Sequence, residues 1–249
     1  MTRTVWITGA GSGIGAAMAR AFAGAGYAVA LTARGTTGLE SVAAGITAAG
    51  GAVTIHEGDV TDRAGMADLA RSIARATGGI HVLCNNAGLN IPKRRWDQLD
   101  WASWDEVVEV NLTGALNVIA ATLPVMRRQN GGVMIHTSSW AGRFHSPGGG
   151  AIYGATKHAL TSLSASLNAE EGTNGIRSTA LCPAEVATPL LARRPGFDPG
   201  DLPAMIQPED MAATALYVAA MNPGVAVHEI TLAPVRGLPR HREPSGASS

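Results

Sequence analysis

The sequence predicts an α/β fold, a doubly wound parallel sheet with helices on both faces. Two observations carry this. Short apolar runs alternate with Ala-rich helical windows along the whole chain. None of the runs shows the period-2 alternation of a half-exposed sheet, so they read as strands buried on both faces, which are parallel strands covered by helices.

The runs are TVWIT (4–8), AVALTA (28–33), AVTIH (52–56), HVLCN (81–85), VMIHTSS (133–139), RSTALC (177–182) and HEITLA (228–233). Helical windows lie near 14–25, 38–49, 62–77, 103–129, 153–172 and 208–221. Strand, helix, strand in repetition implies right-handed crossovers. No linker or repeat divides the chain, so residues 1–235 are expected to form one domain. The Pro- and Gly-rich run 189–208 reads as a binding loop or lid. The tail 236–249 reads as flexible.

The 249 residues are 46% hydrophobic and 15% charged, enough for a sizeable core. Lys plus Arg and Asp plus Glu both number 19, and this zero net charge gives no electrostatic reason to expect nucleic acid or an acidic membrane. No apolar run reaches the roughly 18 residues of a membrane span, and no signal peptide precedes the first strand. Cys84 and Cys182 sit in apolar runs and read as buried free thiols of a reducing compartment. A cytoplasmic protein is expected. The seven histidines show no ligand spacing, so no metal site is expected.

The first strand runs into TGAGSGIG (8–15) and a helix follows. Gly9, Gly13 and Gly15 allow a tight turn and a close approach to a pyrophosphate, which the helix N-terminus attracts. A second register, Gly11, Gly13 and Ala16, fits the general dinucleotide fingerprint, so the glycines alone leave the phosphate register open. The second strand ends LTARGTT. Ala33 stands where an acid would bind the ribose 2′-OH of NAD, and Arg34 follows. Arginine suits a 2′-phosphate, so NADP(H) is expected over NAD(H).

TGAGSGIG, NNAG (85–88), Asn111 in VNLTG, Ser138–Ser139 and YGATK (153–157) occur in this order. Together they resemble the short-chain dehydrogenase/reductase family, in its short single-domain branch, over about residues 4–233. The resemblance implies a Rossmann-like sheet of seven parallel strands in the order 3-2-1-4-5-6-7. Cys84 and Cys182 would then be separated by the fifth strand, about 10 Å, too far for a disulfide.

Tyr153 and Lys157, four residues apart, share one helix face. An ammonium near a phenol favours the phenolate. The resemblance makes Tyr153 the catalytic acid/base. It gives Lys157 two tasks, holding the nicotinamide ribose and lowering the tyrosine pKa. It assigns Ser139 to the substrate oxygen, with Ser138 the neighbouring candidate, and Asn111 to a proton relay behind the lysine. It implies further coenzyme contacts at Ser12, Ile14, Asp59, Val60, Asn86, Ala87, Gly88, Pro183, Val186 and Thr188. The usual Pro–Gly after strand six is Pro183–Ala184 here, which predicts a different local turn.

Trp140, His145 and Leu190 are candidates for the substrate pocket. Trp104 is expected to pack the start of the long helix; Trp96 and Trp101 are left between the pocket mouth and a subunit partner. Arg193 and Arg194 read as a solvated pair that could meet a substrate carboxylate. The expected reaction interconverts a secondary alcohol and a ketone or aldehyde. A 3-oxoacyl-thioester reductase and a non-catalytic coenzyme-binding protein are the alternatives. The resemblance implies a homotetramer or homodimer through the helices 103–129 and 153–172. HEITLAPVRG lacks the customary Gly-Gly close, which leaves the C-terminal contacts open.

Overall fold

A computed structural model describes residues 2–235; the expected tail 236–249 lies outside them. The seven strands are β1 (Thr4–Thr8), β2 (Ala28–Ala33), β3 (Val53–Glu57), β4 (Val82–Asn85), β5 (Gly132–Thr137), β6 (Ile176–Pro183) and β7 (Glu229–Leu232). They form one sheet in the order β3-β2-β1-β4-β5-β6-β7. Every pairing in it is parallel, as the apolar runs predict.

Burial on both faces holds at the centre and fails at the margins. Every residue of β1, β4 and β6 is buried. The outermost strands β3 and β7 are only partly covered, and Ile55 of β3 is 36% exposed. An edge strand has one neighbour, and the helices packed over the centre do not reach across it.

The helices are α1 (Gly13–Gly24), α2 (Thr36–Ala48), α3 (Arg63–Thr77), α4 (Trp101–Val108), α5 (Ala115–Arg128), α6 (Ala151–Glu171) and α7 (Pro208–Ala220). One core lies under α1, α2 and α7 and includes Val5, Ile7, Met18, Phe22, Leu31 and Met211. The other lies under α3 and α5 and includes Trp6, Met66, Leu83, Val118 and Met134. The alternation of Trp6 against Val5 and Ile7 shows how one buried strand feeds both cores. The Trp6 indole N–H is satisfied by Thr32 Oγ1 at 2.9 Å.

Local signals set the helix starts. Asp62 caps α3 by accepting a bond from the Gly65 N–H at 3.0 Å. Gln207 and Asp210 form a reciprocal capping box on α7, whose first residue is Pro208. The window 103–129 is not one regular helix. A π-helical turn, Glu109–Gly114, joins α4 to α5. The whole run Trp101–Arg128 is long and apolar enough to cross a membrane by composition, a correction to the run-length expectation. Half of its most apolar 18-residue stretch is buried inside the fold, as in a core helix.

The order reverses between β1 and β4, because β2 and β3 lie on one side of β1 and the later strands on the other. In a doubly wound sheet this switch point opens a crevice beyond the strand C-termini. The ends of β1, β4 and β5 meet there.

Candidate active site

Asn86 ties these three strand ends together. Its N–H donates to Thr8 Oγ1 at 3.1 Å and its Nδ2 to the Thr8 carbonyl at 3.1 Å. Its Oδ1 accepts from Thr137 Oγ1 at 2.9 Å. Its side chain is thus committed to the protein and fixes the crevice floor.

The glycine turn enters this crevice. Gly9 and Gly13 have φ of +63° and +50°, in the left-handed region that favours glycine. A Cβ on Gly15 would lie 2.7 Å from Asn86 Nδ2 and closer still to the Gly9 carbonyl, whereas one on Gly11 would meet nothing nearer than 3.5 Å. The backbone therefore requires glycine at 9, 13 and 15 and not at 11, which separates the two registers left open by the sequence. Ser12 precedes α1 without a side-chain capping bond. The first N–H groups of a helix have no acceptor within it, so this end is free to receive an anion.

Gly9, Ser12, Gly13, Ile14, Asn86, Ala87 and Gly88 line a cavity of about 310 Å³. Ser139, Tyr153, Lys157, Pro183, Val186, Thr188, Trp140 and Leu190 line the same cavity. Residues from the two ends of the sequence are thus brought to one place. Ala184 is not among the residues with positive φ, so the chain turns after β6 without the conformation glycine usually provides.

Ser138 and Ser139 part ways. Ser138 Oγ is buried and bonded to the Lys157 carbonyl at 3.0 Å and to Thr161 Oγ1 at 2.9 Å. Ser139 lines the cavity together with Tyr153, and its Oγ accepts from the Ala141 N–H at 3.2 Å.

Tyr153 is half-buried, with Ile91, Trp104 and Val107 packed behind it. Burial pushes its phenol above the ordinary value, while the Ser139 bond and the Arg94 guanidinium pull it down. The Lys157 ammonium lies 5.6 Å from the Tyr153 ring centroid, over its face. It donates to the Thr137 carbonyl at 2.7 Å. It is 3% exposed, and burial lowers its pKa to about 8.

Asn111 lies in the π-helical turn, behind the cavity. Its Oδ1 accepts from the Leu89 N–H at 2.8 Å and its Nδ2 donates to the Leu89 carbonyl at 2.9 Å. Gly88 lets this assembly close up, since a Cβ there would sit 3.2 Å from Asn111 Oδ1 and 3.4 Å from Lys157 Nζ. The π turn directs Asn111 at the strand-four loop, where it clamps both polar groups of one peptide residue.

The remaining candidates lie outside the cavity lining. Asp59 Oδ1 accepts from the Thr61 N–H and hydroxyl, both at 2.9 Å. Val60 packs over Gly114, where a Cβ would come within 2.6 Å of its methyl group. Arg34 is exposed at the end of β2 and makes no hydrogen bond or ion pair among the described residues. His145 is exposed and does not line the cavity; Ser146 beside it does. Trp104 packs the helix start as expected, 4% exposed, whereas Trp96 and Trp101 are 73% and 68% exposed. Cys84 and Cys182 are buried and free. No group of potential metal ligands occurs among the described residues.

Sequence reasoning missed Arg94. In KRRW it looks like part of a solvated basic run, yet it lines the cavity and is 8% exposed. It also treated Arg194 as solvated. Arg194 faces the cavity and pairs with Glu185 at 2.9 Å.

Residues 3–196 match the family model described as short chain dehydrogenase. The chain belongs to the short-chain dehydrogenases. It is 32% identical to an uncharacterised oxidoreductase of Staphylococcus aureus (strain MW2) over 92% of this chain and 96% of that protein. The structure is similar to an alcohol dehydrogenase from Thermococcus sibiricus complexed with 5-hydroxy-NADP, with a TM-score of 0.86 and 29% identity over 97% of this chain and all (100%) of the other. It is similar also to a metagenomic short-chain oxidoreductase in complex with NADP, with a TM-score of 0.80 and 29% identity over 92% of this chain and 96% of that one. For this short-chain dehydrogenase the glycine turn fits a dinucleotide, because the cradle at 9, 13 and 15 excludes side chains and faces an uncapped helix end.

Proposed function

We propose that this short-chain dehydrogenase is an NADP(H)-dependent oxidoreductase that interconverts a secondary alcohol and a ketone or aldehyde. The observation that carries the reading is the gathering of Ser139, Tyr153 and Lys157 around one cavity with the glycine turn.

The coenzyme, when bound, supplies or accepts the hydride at its nicotinamide ring. The chain's own residues do the rest. Ser139 holds the substrate oxygen, and Tyr153 gives that oxygen its phenolic proton on reduction and takes it back on oxidation. Lys157 contributes the fixed positive charge beneath the tyrosine ring and serves the nicotinamide ribose hydroxyls. Asn111 holds the strand-four loop at its working distance from Lys157. Gly9, Ser12, Gly13 and Ile14 receive the pyrophosphate side, Asn86–Gly88 the adjoining ribose, and Pro183, Val186 and Thr188 the carboxamide. Asp59 and Val60 serve the adenine.

The preference for NADP(H) rests on Arg34. It is exposed, follows Ala33 where an acid would favour NAD, and has no acidic partner among the described residues. The NADP complexes of two similar structures agree with this reading.

A parallel fluorescence titration with NADPH and NADH tests it. NADPH should bind more tightly by at least ~tenfold, about 1.4 kcal/mol, and Arg34→Ala should erase the difference. Equal loss of both coenzymes in that variant rejects the 2′-phosphate role. Tyr153→Phe should bind NADPH as the wild type does and lose turnover by ~10²-fold or more; a wild-type rate would overturn the mechanism.

A further inference from the structure

Residues 93–95 present three consecutive cations with different fates. Lys93 lies 3.5 Å from Asp100 and Arg95 3.1 Å from Asp97, all on the surface. Arg94 between them has no acidic partner among the described residues, although it is 8% exposed. Its Nε donates to the Ile91 carbonyl, and its Nη1 to the Gly148 carbonyl at 2.8 Å. These bonds fix the guanidinium plane, and Nη2 carries no hydrogen bond among the described residues. The side chain lines the same cavity as Ser139 and Tyr153.

We propose that Arg94 anchors a carboxylate of the substrate, so that the compounds turned over are oxo acids and hydroxy acids; this rests on the oxidoreductase reading. A buried cation without a counter-ion is costly, and a ligand that brings one recovers that cost. The other charges on the cavity wall do not supply it. Glu185 is engaged by Arg194 at 2.9 Å, and Lys157 is a further cation, held on the Thr137 carbonyl. Burial, with a smaller contribution from the field of Arg194, lowers the Arg94 pKa to about 10, still charged at neutral pH. Arg94 itself offers one charge and one open amino group, which suits a monoanion better than a phosphate. Carbonyl bonds from Nε and Nη1 hold the guanidinium in place before the substrate arrives and leave Nη2 to meet a carboxylate oxygen by a charge-assisted bond.

The test uses the 2-, 3-, 4- and 5-oxohexanoates and their methyl esters with the NADPH-saturated protein. Binding is read as the shift in unfolding midpoint, and turnover as NADPH consumption. At least one acid should bind, and be reduced, ~tenfold better than its ester. Arg94→Gln should bring the acid-to-ester ratio of binding and of turnover down to about one, whatever the rate common to both loses through Tyr153, and Arg94→Lys should restore part of the ratio. An acid and ester that fall together in Arg94→Gln indicate a purely structural residue and overturn the proposal. So does a wild type that favours no acid in either measurement. Acid-selective binding without any turnover upholds the anchor and overturns the oxidoreductase reading. Turnover of esters as fast as acids does the reverse. If Arg94→Gln does not fold, the wild-type ratio and its change in Arg94→Lys decide.

Discussion

At the scale of the residue, the proposed chemistry depends on opposed effects on one phenol. Burial raises Tyr153, while Ser139 and Arg94 act to lower it. Removing either counterweight leaves burial less opposed, so the tyrosine should titrate higher. Ser139→Ala should therefore displace the alkaline rise of alcohol oxidation to higher pH, besides slowing it. A pH profile of kcat/KM measures this, and an unmoved limb with a lower plateau would assign Ser139 to substrate positioning alone. Tyr153 and Lys157 stood out because their spacing is local, four residues on one helix, whereas Ser139 was singled out over Ser138 only by the family resemblance. Arg94 was not. Its burial depends on Gly150, far along the chain, and nothing in KRRW distinguishes the middle cation from its surface neighbours.

At the scale of the element, the glycine turn and the π-helical turn differ in how visibly the sequence encodes them. TGAGSGIG announces a strand-to-helix turn, but two registers compete until the backbone shows where a Cβ cannot fit. Gly11→Ala should leave NADPH binding within a few-fold of wild type, since its Cβ meets only ordinary contacts. Gly15→Ala should weaken binding by ~tenfold or more, because the Gly9 carbonyl and Asn86 must both yield. Similar affinities for the two variants would return the register question to the alternative. The π turn at 109–114 leaves no mark on the apolar pattern, since VNLTG continues a helical window. Only the paired bonds from Asn111 to Leu89 reveal what the widened turn accomplishes. The margins of the sheet misled for a related reason. VTIHE is rich in β-branched residues, and such composition says nothing of whether a helix extends over the strand.

At the scale of the whole molecule, the completely buried centre of the sheet makes stability depend on pH. His136 on β5 is 0% exposed, between Asn85 and Ser178 Oγ, the latter at 3.1 Å. Burial, with a smaller contribution from Lys157, lowers its pKa from 6.5 to about 4. The unfolded chain therefore binds more protons than the folded one between these values, and stability falls as pH falls through that window. Between pH 7.5 and pH 5 this residue alone should cost about 2 kcal/mol. Urea unfolding at the two pH values should show the loss in the wild type and a smaller one in His136→Asn. Equal pH dependence in both would place the acid sensitivity elsewhere. The sheet order itself was legible because the strands are short, apolar and evenly interleaved with helices.

Gly150, with φ of +85°, stands immediately before α6, and a Cβ on it would come within 2.6 Å of Arg94 Cβ and 2.8 Å of the Arg94 carbonyl. It makes no bond to any ligand and has no chemistry of its own. It nevertheless sets the gauge between the segment that carries Arg94 and the helix that carries Tyr153. A methyl group there would push the two apart and disturb their separation without altering either residue. Under the proposed anchoring by Arg94, substrate choice would be retuned from a position that a search for polar, reactive or ligand-touching residues would pass over.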